Sequence, residues 1–216
     1  MTLLEIVNKV LIKLRENQVP SAIATTYSTL ITQLVNESRR EVEDAWNWIG
    51  LRTTVSLDTV AGTSQYILSG VGNTRFKLQE VVNDTTNVPL TNANASALTS
   101  MFLTGSTDEA EPQYFGLNGY DSSGDPIVDL YPIPDAVYAI RFNMVLPQND
   151  LVSGNTEVKV PGHIVVLGAY AKAIAERGED ASSAYEVAMS QYTGALGAAI
   201  AQEDALMPGE TDFYAI

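Results

Sequence analysis

The chain has 216 residues and no cysteine, with 26 acidic against 12 basic side chains and a formal net charge of −14. Disulfide frameworks, thiol catalysis and thiolate metal sites are thereby excluded. The acidic excess also argues against a basic stripe able to displace counterions from a phosphate backbone. A chain of this length can bury a real core, as one large domain or two small ones.

Thr2 and Glu5 are spaced as a capping box. They precede an apolar stripe of Leu3, Ile6, Val7, Val10, Leu11 and Leu14 that predicts a first helix. The N-terminal residues lack a basic region followed by an apolar run, so no signal peptide is expected. Pro20 disfavours helix at Val19 and separates the first helix from a second. That second helix is predicted over residues 26–49, with Tyr27, Leu30, Ile31, Leu34, Val35, Val42, Ala45, Trp46 and Ile49 on its apolar face. Asn36, Glu37, Arg39, Arg40, Glu43 and Asp44 fall on the opposite face. Thr25 or Ser28 caps the start, and Gly50 suits a left-handed residue just past the end. Trp46 is expected in the core and Trp48 beneath the region that follows.

From residue 51 the composition shifts toward Thr, Val, Asn, Gly and Pro, and the period changes to two. Residues 53–59 predict a strand, Ala61-Gly62-Thr63-Ser64 a turn, and residues 65–68 the returning strand of a hairpin. Another strand is predicted over 77–82, with a turn at 83–87 and a short return through Val88-Pro89-Leu90. Residues 93–104 suggest a small helix, and 105–111 an exposed loop. Strands at 114–117 and 127–131 flank a loop in which Asp121 and Asp125 lack the ligand ladder of a calcium site. A solvated hairpin tip is expected there. Residues 137–146 alternate, with Tyr138, Ile140, Phe142 and Met144 on one face and Arg141 on the other. Residues 147–155 lead out of the β region.

Pro161 marks the start of a broad-faced helix built on Ile164, Leu167, Ala171, Ile174 and Ala175. Residues 164–175 are too short, and Lys172 too charged, to span a bilayer. Gly178 ends that helix, and Asp180 or Ser182 starts a last one carrying Tyr185, Ala188, Met189, Tyr192, Leu196, Ala199 and Ile200 in register. Pro208-Gly209 stops it.

The resulting fold class is α+β: an antiparallel helix bundle formed by N- and C-terminal helix pairs, with an inserted β-rich domain. The expected boundaries are 1–50 and 156–207 for the bundle, 51–155 for the insert and 208–216 for a C-terminal tail.

No catalytic, cofactor-binding or metal-ligating residue is expected. His163, the one histidine, follows Pro161-Gly162 at a helix start, where packing is the ordinary role. No Gly-x-Ser-x-Gly elbow occurs. Gly70-Val71-Gly72 runs into Asn73-Thr74-Arg75 without the later glycine of a dinucleotide fingerprint.

Several short segments together carry a resemblance. They are Trp46-Asn47-Trp48 with Leu51 and Thr53-Thr54-Val55; Val60-Ala61-Gly62-Thr63-Ser64-Gln65-Tyr66-Ile67-Leu68; Val88-Pro89-Leu90; Pro112-Gln113-Tyr114-Phe115; residues 127–135; and Tyr138-Ala139-Ile140-Arg141-Phe142. In this order the chain resembles head-to-tail adaptor proteins of tailed phages, such as the tail tubular protein A family of T7-like phages. The resemblance implies a structural protein made in the host cytoplasm and carried in the virion neck. About twelve copies would form a ring below the portal protein, extending the DNA channel and providing a platform for the next tail or nozzle protein. DNA would pass without sequence-specific binding, and no membrane would be involved. It also implies portal contact by the C-terminal segment, here Phe213, Tyr214 and Ile216. Trp48 is the candidate subunit contact. Two competing readings are an acidic cell-wall or glycan hydrolase of a phage tail, which would need a carboxylate pair, and a monomeric helical binding module.

Overall fold

The computed structural model describes residues 1–72, 74–104, 109–179 and 183–206. The fold is α+β, with five α-helices and two four-stranded sheets among these residues. The chain divides into two compact units, Met1–Leu51 with Gln148–Ile216, and Arg52–Pro147.

In the first unit, α1 (Leu3–Lys13) opens on the capping box: Glu5 N–H donates to Thr2 Oγ1, and Thr2 N–H to Glu5 Oε2. Leu3, Ile6, Val7, Val10 and Leu11 are buried. α2 (Thr26–Ala45) starts on a reciprocal pair between Thr25 and Ser28. α4 (Gly162–Ile174) packs against α1, α2 and α5 (Ser183–Leu206), and α1 packs against α2. The broad apolar face of α4 is thus buried from several sides, with Ile164, Val165, Ala169, Ala171 and Ala173 inaccessible. Gly178 adopts φ 80° in the π turn Ala175–Glu179 that ends α4, a conformation glycine reaches without strain. Asp180 and Ser182, the expected starts of the last helix, lie outside the described residues.

Three expectations for α2 are corrected. The helix stops at Ala45 and not at Ile49, because Trp46 is extended (φ −153°) and the chain folds inward. The Trp48 indole N–H then donates to Val42 O at 2.6 Å, so a side chain satisfies one of the carbonyls the helix end leaves open. Trp48 is the fully buried tryptophan, and Trp46, expected in the core, is half-buried. Gly50 lies in the short 3₁₀ turn Ile49–Leu51, outside the left-handed region, and a Cβ there would meet Lys159 O at 2.5 Å. Close approach, not a left-handed cap, is what this position demands. On the polar face of α2, Asn36, Arg39 and Glu43 are buried.

Residues 148–155 belong with the helices, not with the β region. Asn36 Nδ2 donates to Leu151 O and Leu151 N–H to Asn36 Oδ1, while Leu3 and Leu4 N–H groups reach Thr156 O and Gly154 O.

The second unit pairs two sheets over one core. The first has the order β1 (Arg52–Asp58), β8 (Ala139–Val145), β3 (Lys77–Asn83), β4 (Val88–Pro89). The second has the order β2 (Gln65–Ile67), β7 (Pro126–Tyr131), β6 (Tyr114–Tyr120), β5 (Thr91–Asn92), with β5 parallel to β6. α3 (Ala95–Thr104) packs on β6 and β7. Ile140, Phe142 and Met144 of the alternating strand are buried against Val128, Leu130 and Phe115. The rings of Phe115 and Phe142 meet edge to face at 6.2 Å, a favoured aromatic geometry.

The expected hairpin of β1 with residues 65–68 does not form. β1 matches all seven residues of β8, whereas β2 offers three, so the longer ladder takes it. Thr59 locks that choice: its amide donates to Tyr138 O, its hydroxyl to Ala136 O, and Tyr138 N–H donates back to Thr59 Oγ1. β2 pairs with β7 instead.

Candidate functional site

The side chains with titratable or polar chemistry are largely occupied in holding the fold. Arg39, wholly buried, donates from Nη1 to Glu43 Oε1 at 2.7 Å and to Gln148 O at 2.8 Å. Glu43 Oε1 accepts from Gln148 N–H, and Asp150 engages both Arg39 and Arg40. This ionic cluster clamps the segment after residue 147 onto α2. Its Arg39–Glu43 core is an i,i+4 pair readable on a helix. The spacing is visible in the sequence; its burial is not, since buried charges are rare.

The Asp121–Asp125 loop is a hairpin tip pinned by its own carboxylates. Asp121 Oδ1 accepts from Ser123 and Asp125 N–H, and Asp125 accepts from Gly70 and Gly72 N–H. Such oxygens are spent on backbone amides. Among the described residues no cluster of three His, Cys, Asp or Glu side chains is placed to hold a metal. Arg141 pairs with Asp84 at 3.2 Å on the face opposite Ile140 and Phe142.

Tyrosines show the clearest electrostatic perturbation. Tyr138 is pushed up to about 12, first by its hydrogen bond to Asp135 and then by desolvation and nearby negative charge. Burial raises Tyr192, helped by Glu41, and burial likewise raises Tyr66. Each of these effects keeps a phenol protonated; none creates a base or nucleophile at neutral pH.

What remains is surface. An open groove of about 410 Å³ runs between α1 and α4, lined by Lys9, Ile12, Lys13, His163, Val166 and Leu167. His163 therefore sits at a groove wall with apolar neighbours. Exposed apolar side chains also include Leu103 at 80 % and Val152 at 83 %. Trp48, expected at a subunit contact, is 1 % exposed, with its indole N–H on Val42 O. The three expected portal-contact residues, Phe213, Tyr214 and Ile216, lie outside the described residues, as do positions 105–108 of the loop expected over residues 105–111.

A family model described as SU10 adaptor protein matches residues 1–211. The chain belongs to the SU10 adaptor protein family. This is a family of phage head-to-tail adaptors, so the role it carries is structural, and its members' business is with portal proteins, tail proteins and further copies of themselves. No curated protein matches the chain. For an SU10 adaptor the useful chemistry lies in surfaces, in keeping with the inward commitment of the ionic groups above. No helix among the described residues is long and apolar enough to cross a membrane.

Proposed function

We propose that this chain is the structural neck component of a tailed phage, about twelve copies closing into a ring beneath the portal protein. The ring continues the DNA channel and gives the next tail or nozzle protein its platform. The observation that carries this reading is the family match over residues 1–211. The kinship proposed is with the tail tubular protein A proteins of T7-like phages. The N- and C-terminal helix pairs act as an antiparallel bundle, and the sheet-bearing unit is the insert. Made in the host cytoplasm, the protein ends in the virion.

The net charge of −14 suits a passage. A negative wall repels phosphates, so DNA slides without being held, which a basic lining would prevent. The C-terminal segment supplies portal contact through Phe213, Tyr214 and Ile216, and the polar loops at residues 105–111 and 119–125 face the next tail protein.

Mass measurement and electron microscopy of the chain, alone and mixed with its portal protein, test the assembly. A closed ring on the portal is expected. A chain that leaves the portal unaltered at micromolar concentration removes the reading. Deleting residues 209–216 tests the contact separately: co-sedimentation with the portal should be lost, and unchanged co-sedimentation takes the tail out of that interface.

A further inference from the structure

Of the strands at the sheet edges, β2 has three residues, and β4 and β5 have two each, with Pro89 in β4. β1 is different: its seven residues, Arg52–Asp58, match β8 without a bulge and include no proline. No strand among the described residues pairs along its other side. Proteins ordinarily guard an edge of this length with a lysine, a proline or a bulge. In β1 the charged residues are Arg52 and Asp58, one at each end, and the five between them are uncharged.

The ladder fixes which backbone groups face outward. Thr59 N–H donates to Tyr138 O, so Thr53, Val55 and Leu57, in the same phase, bond to β8. Ala139 O accepts from Asp84 N–H on the far side of β8, which agrees with that phase. Arg52, Thr54, Ser56 and Asp58 therefore turn their N–H and C=O groups toward the open edge. Their side chains share the exposed face of the strand. Val55 and Leu57, on the other face, are half-buried against the core of the two sheets.

The stretch Arg52-Thr53-Thr54-Val55-Ser56-Leu57-Asp58 is complementary to itself when reversed about Val55. In that antiparallel register Arg52 faces Asp58 of a second copy, Asp58 faces its Arg52, and Thr54 faces Ser56. These are the residues with outward backbone groups, so each facing pair can exchange two hydrogen bonds. On the other face Val55 meets its own counterpart and Leu57 meets Thr53, which extends the apolar row. Parallel pairing would set Arg52 beside Arg52 and Asp58 beside Asp58, at a cost. A slip of one residue would set outward-facing groups against inward-facing ones. A guanidinium has five N–H donors, so Arg52 can take this carboxylate in addition to contacts within its own chain.

We infer that the free chain pairs with a second copy of itself through β1, antiparallel about Val55, joining the two β1-β8-β3-β4 sheets edge to edge. The contact is two-fold and closes at two copies. It neither requires nor builds the ring proposed above, and it is measured without a portal.

Sedimentation of the full-length chain from about 1 to 100 μM should show a reversible monomer–dimer equilibrium. Ser56→Pro deletes an outward N–H and leaves the bonds to β8 in place, so it should abolish the dimer. Arg52→Asp sets two acidic pairs across the axis and should raise the dimer Kd about two- to thirtyfold. Adding Asp58→Arg exchanges the charges, restores both opposite pairs, and should return Kd to within about threefold of the parent value. The chain has no cysteine, so one introduced thiol reports one distance between copies. Val55→Cys stands on the axis, about 4.5 Å from its counterpart between Cα atoms, within disulfide reach. Thr53→Cys lies about 13 Å from its own counterpart, four residues of strand rise. Gentle oxidation should cross-link Val55→Cys at least tenfold faster than Thr53→Cys. Far-ultraviolet circular dichroism matching the parent chain establishes that the variants are folded. A parent chain still monomeric at about 100 μM overturns the proposal. Equal cross-linking at the two positions also overturns it, since that is the mark of parallel pairing. So does a dimer indifferent to Ser56→Pro, or a loss with Arg52→Asp that Asp58→Arg does not repair.

Discussion

Asn36 and Leu151 exchange two hydrogen bonds across the helical unit, Asn36 Nδ2 to Leu151 O at 3.1 Å and Leu151 N–H to Asn36 Oδ1 at 2.9 Å. Asn36 is 9 % exposed and Leu151 4 %, so water is a poor substitute for either partner. Replacing Asn36 with leucine strands a buried backbone donor and a buried acceptor. An unmade buried hydrogen bond costs about 1–3 kcal/mol, and a loss of about 2–4 kcal/mol is expected in urea unfolding. Asn36→Asp keeps the acceptor but sets a buried carboxylate against the carbonyl oxygens of Thr32 and Leu151, so it should lose at least as much as leucine. A loss below about 0.5 kcal/mol for the leucine variant would show that the segment after residue 147 is held by something else.

Arg39 and Glu43 supply the second test. Both side chains are wholly inaccessible and meet at 2.7 Å. Removing one member of a buried pair leaves a charge without its counter-ion, at a cost of about 3–5 kcal/mol. Arg39→Met alone and Glu43→Leu alone should each be strongly destabilising. The double variant should be markedly more stable than the sum of the two losses implies, because it leaves neither charge behind. Urea melts of all four chains form the cycle. Additive losses would mean that the two groups act through Gln148 and Asp150 separately.

The helices were legible because their signals are local. Thr2 with Glu5, and Thr25 beside Ser28, announce helix starts within four residues, and the stripes on α1 and α4 repeat at one period. Strand identity was equally clear for residues 139–145, whose alternation puts Ile140, Phe142 and Met144 inside. Strand partnership was not legible. Residues 52–58 and 65–67 are neighbours in sequence, but the ladder goes to the longest complementary strand, and nothing near β1 announces β8 some eighty residues away. The end of α2 was hidden for a similar reason: Trp48 satisfies Val42 O only when the chain turns inward, a gain that helical periodicity does not register. The burial of Asn36, Arg39 and Glu43 depends on residues 148–151, contributed from beyond the sheet-bearing unit.

Tyr138 offers a pH test. Its hydroxyl donates to Asp135 Oδ1 at 2.7 Å, and its pKa is pushed up to about 12 from the ordinary value near 10. A raised folded-state value means the folded chain holds this proton more firmly than the unfolded one does. The contribution is complete below about pH 10 and disappears as the pH rises toward 12. Alkaline titration at 295 nm should show a late-ionising component that is missing in Tyr138→Phe. It should move toward the ordinary tyrosine range in Asp135→Asn, whose amide is neutral and holds the phenol proton more weakly. A late component that survives Tyr138→Phe belongs to another tyrosine.

Gly168 is where α4 meets α2 and α5 together. A Cβ added there would stand 2.2 Å from Ser38 Oγ and 3.0 Å from the Tyr192 ring. Ser38 is fully buried and donates to Val165 O at 3.2 Å, so it cannot swing into solvent. Alanine gains about 1 kcal/mol of helix propensity over glycine, but overpacking a filled core costs about 1–3 kcal/mol, and at 2.2 Å the clash should win. Gly168→Ala is therefore expected to lower stability by about 1–2 kcal/mol. Ser38→Ala removes the atom in the way, so adding it to Gly168→Ala should recover part of the loss, although Ser38→Ala alone forfeits a hydrogen bond. Thermal melts of the two single variants and the pair decide it. If the double variant is no more stable than Gly168→Ala alone, the obstruction lies at Tyr192 and not at Ser38.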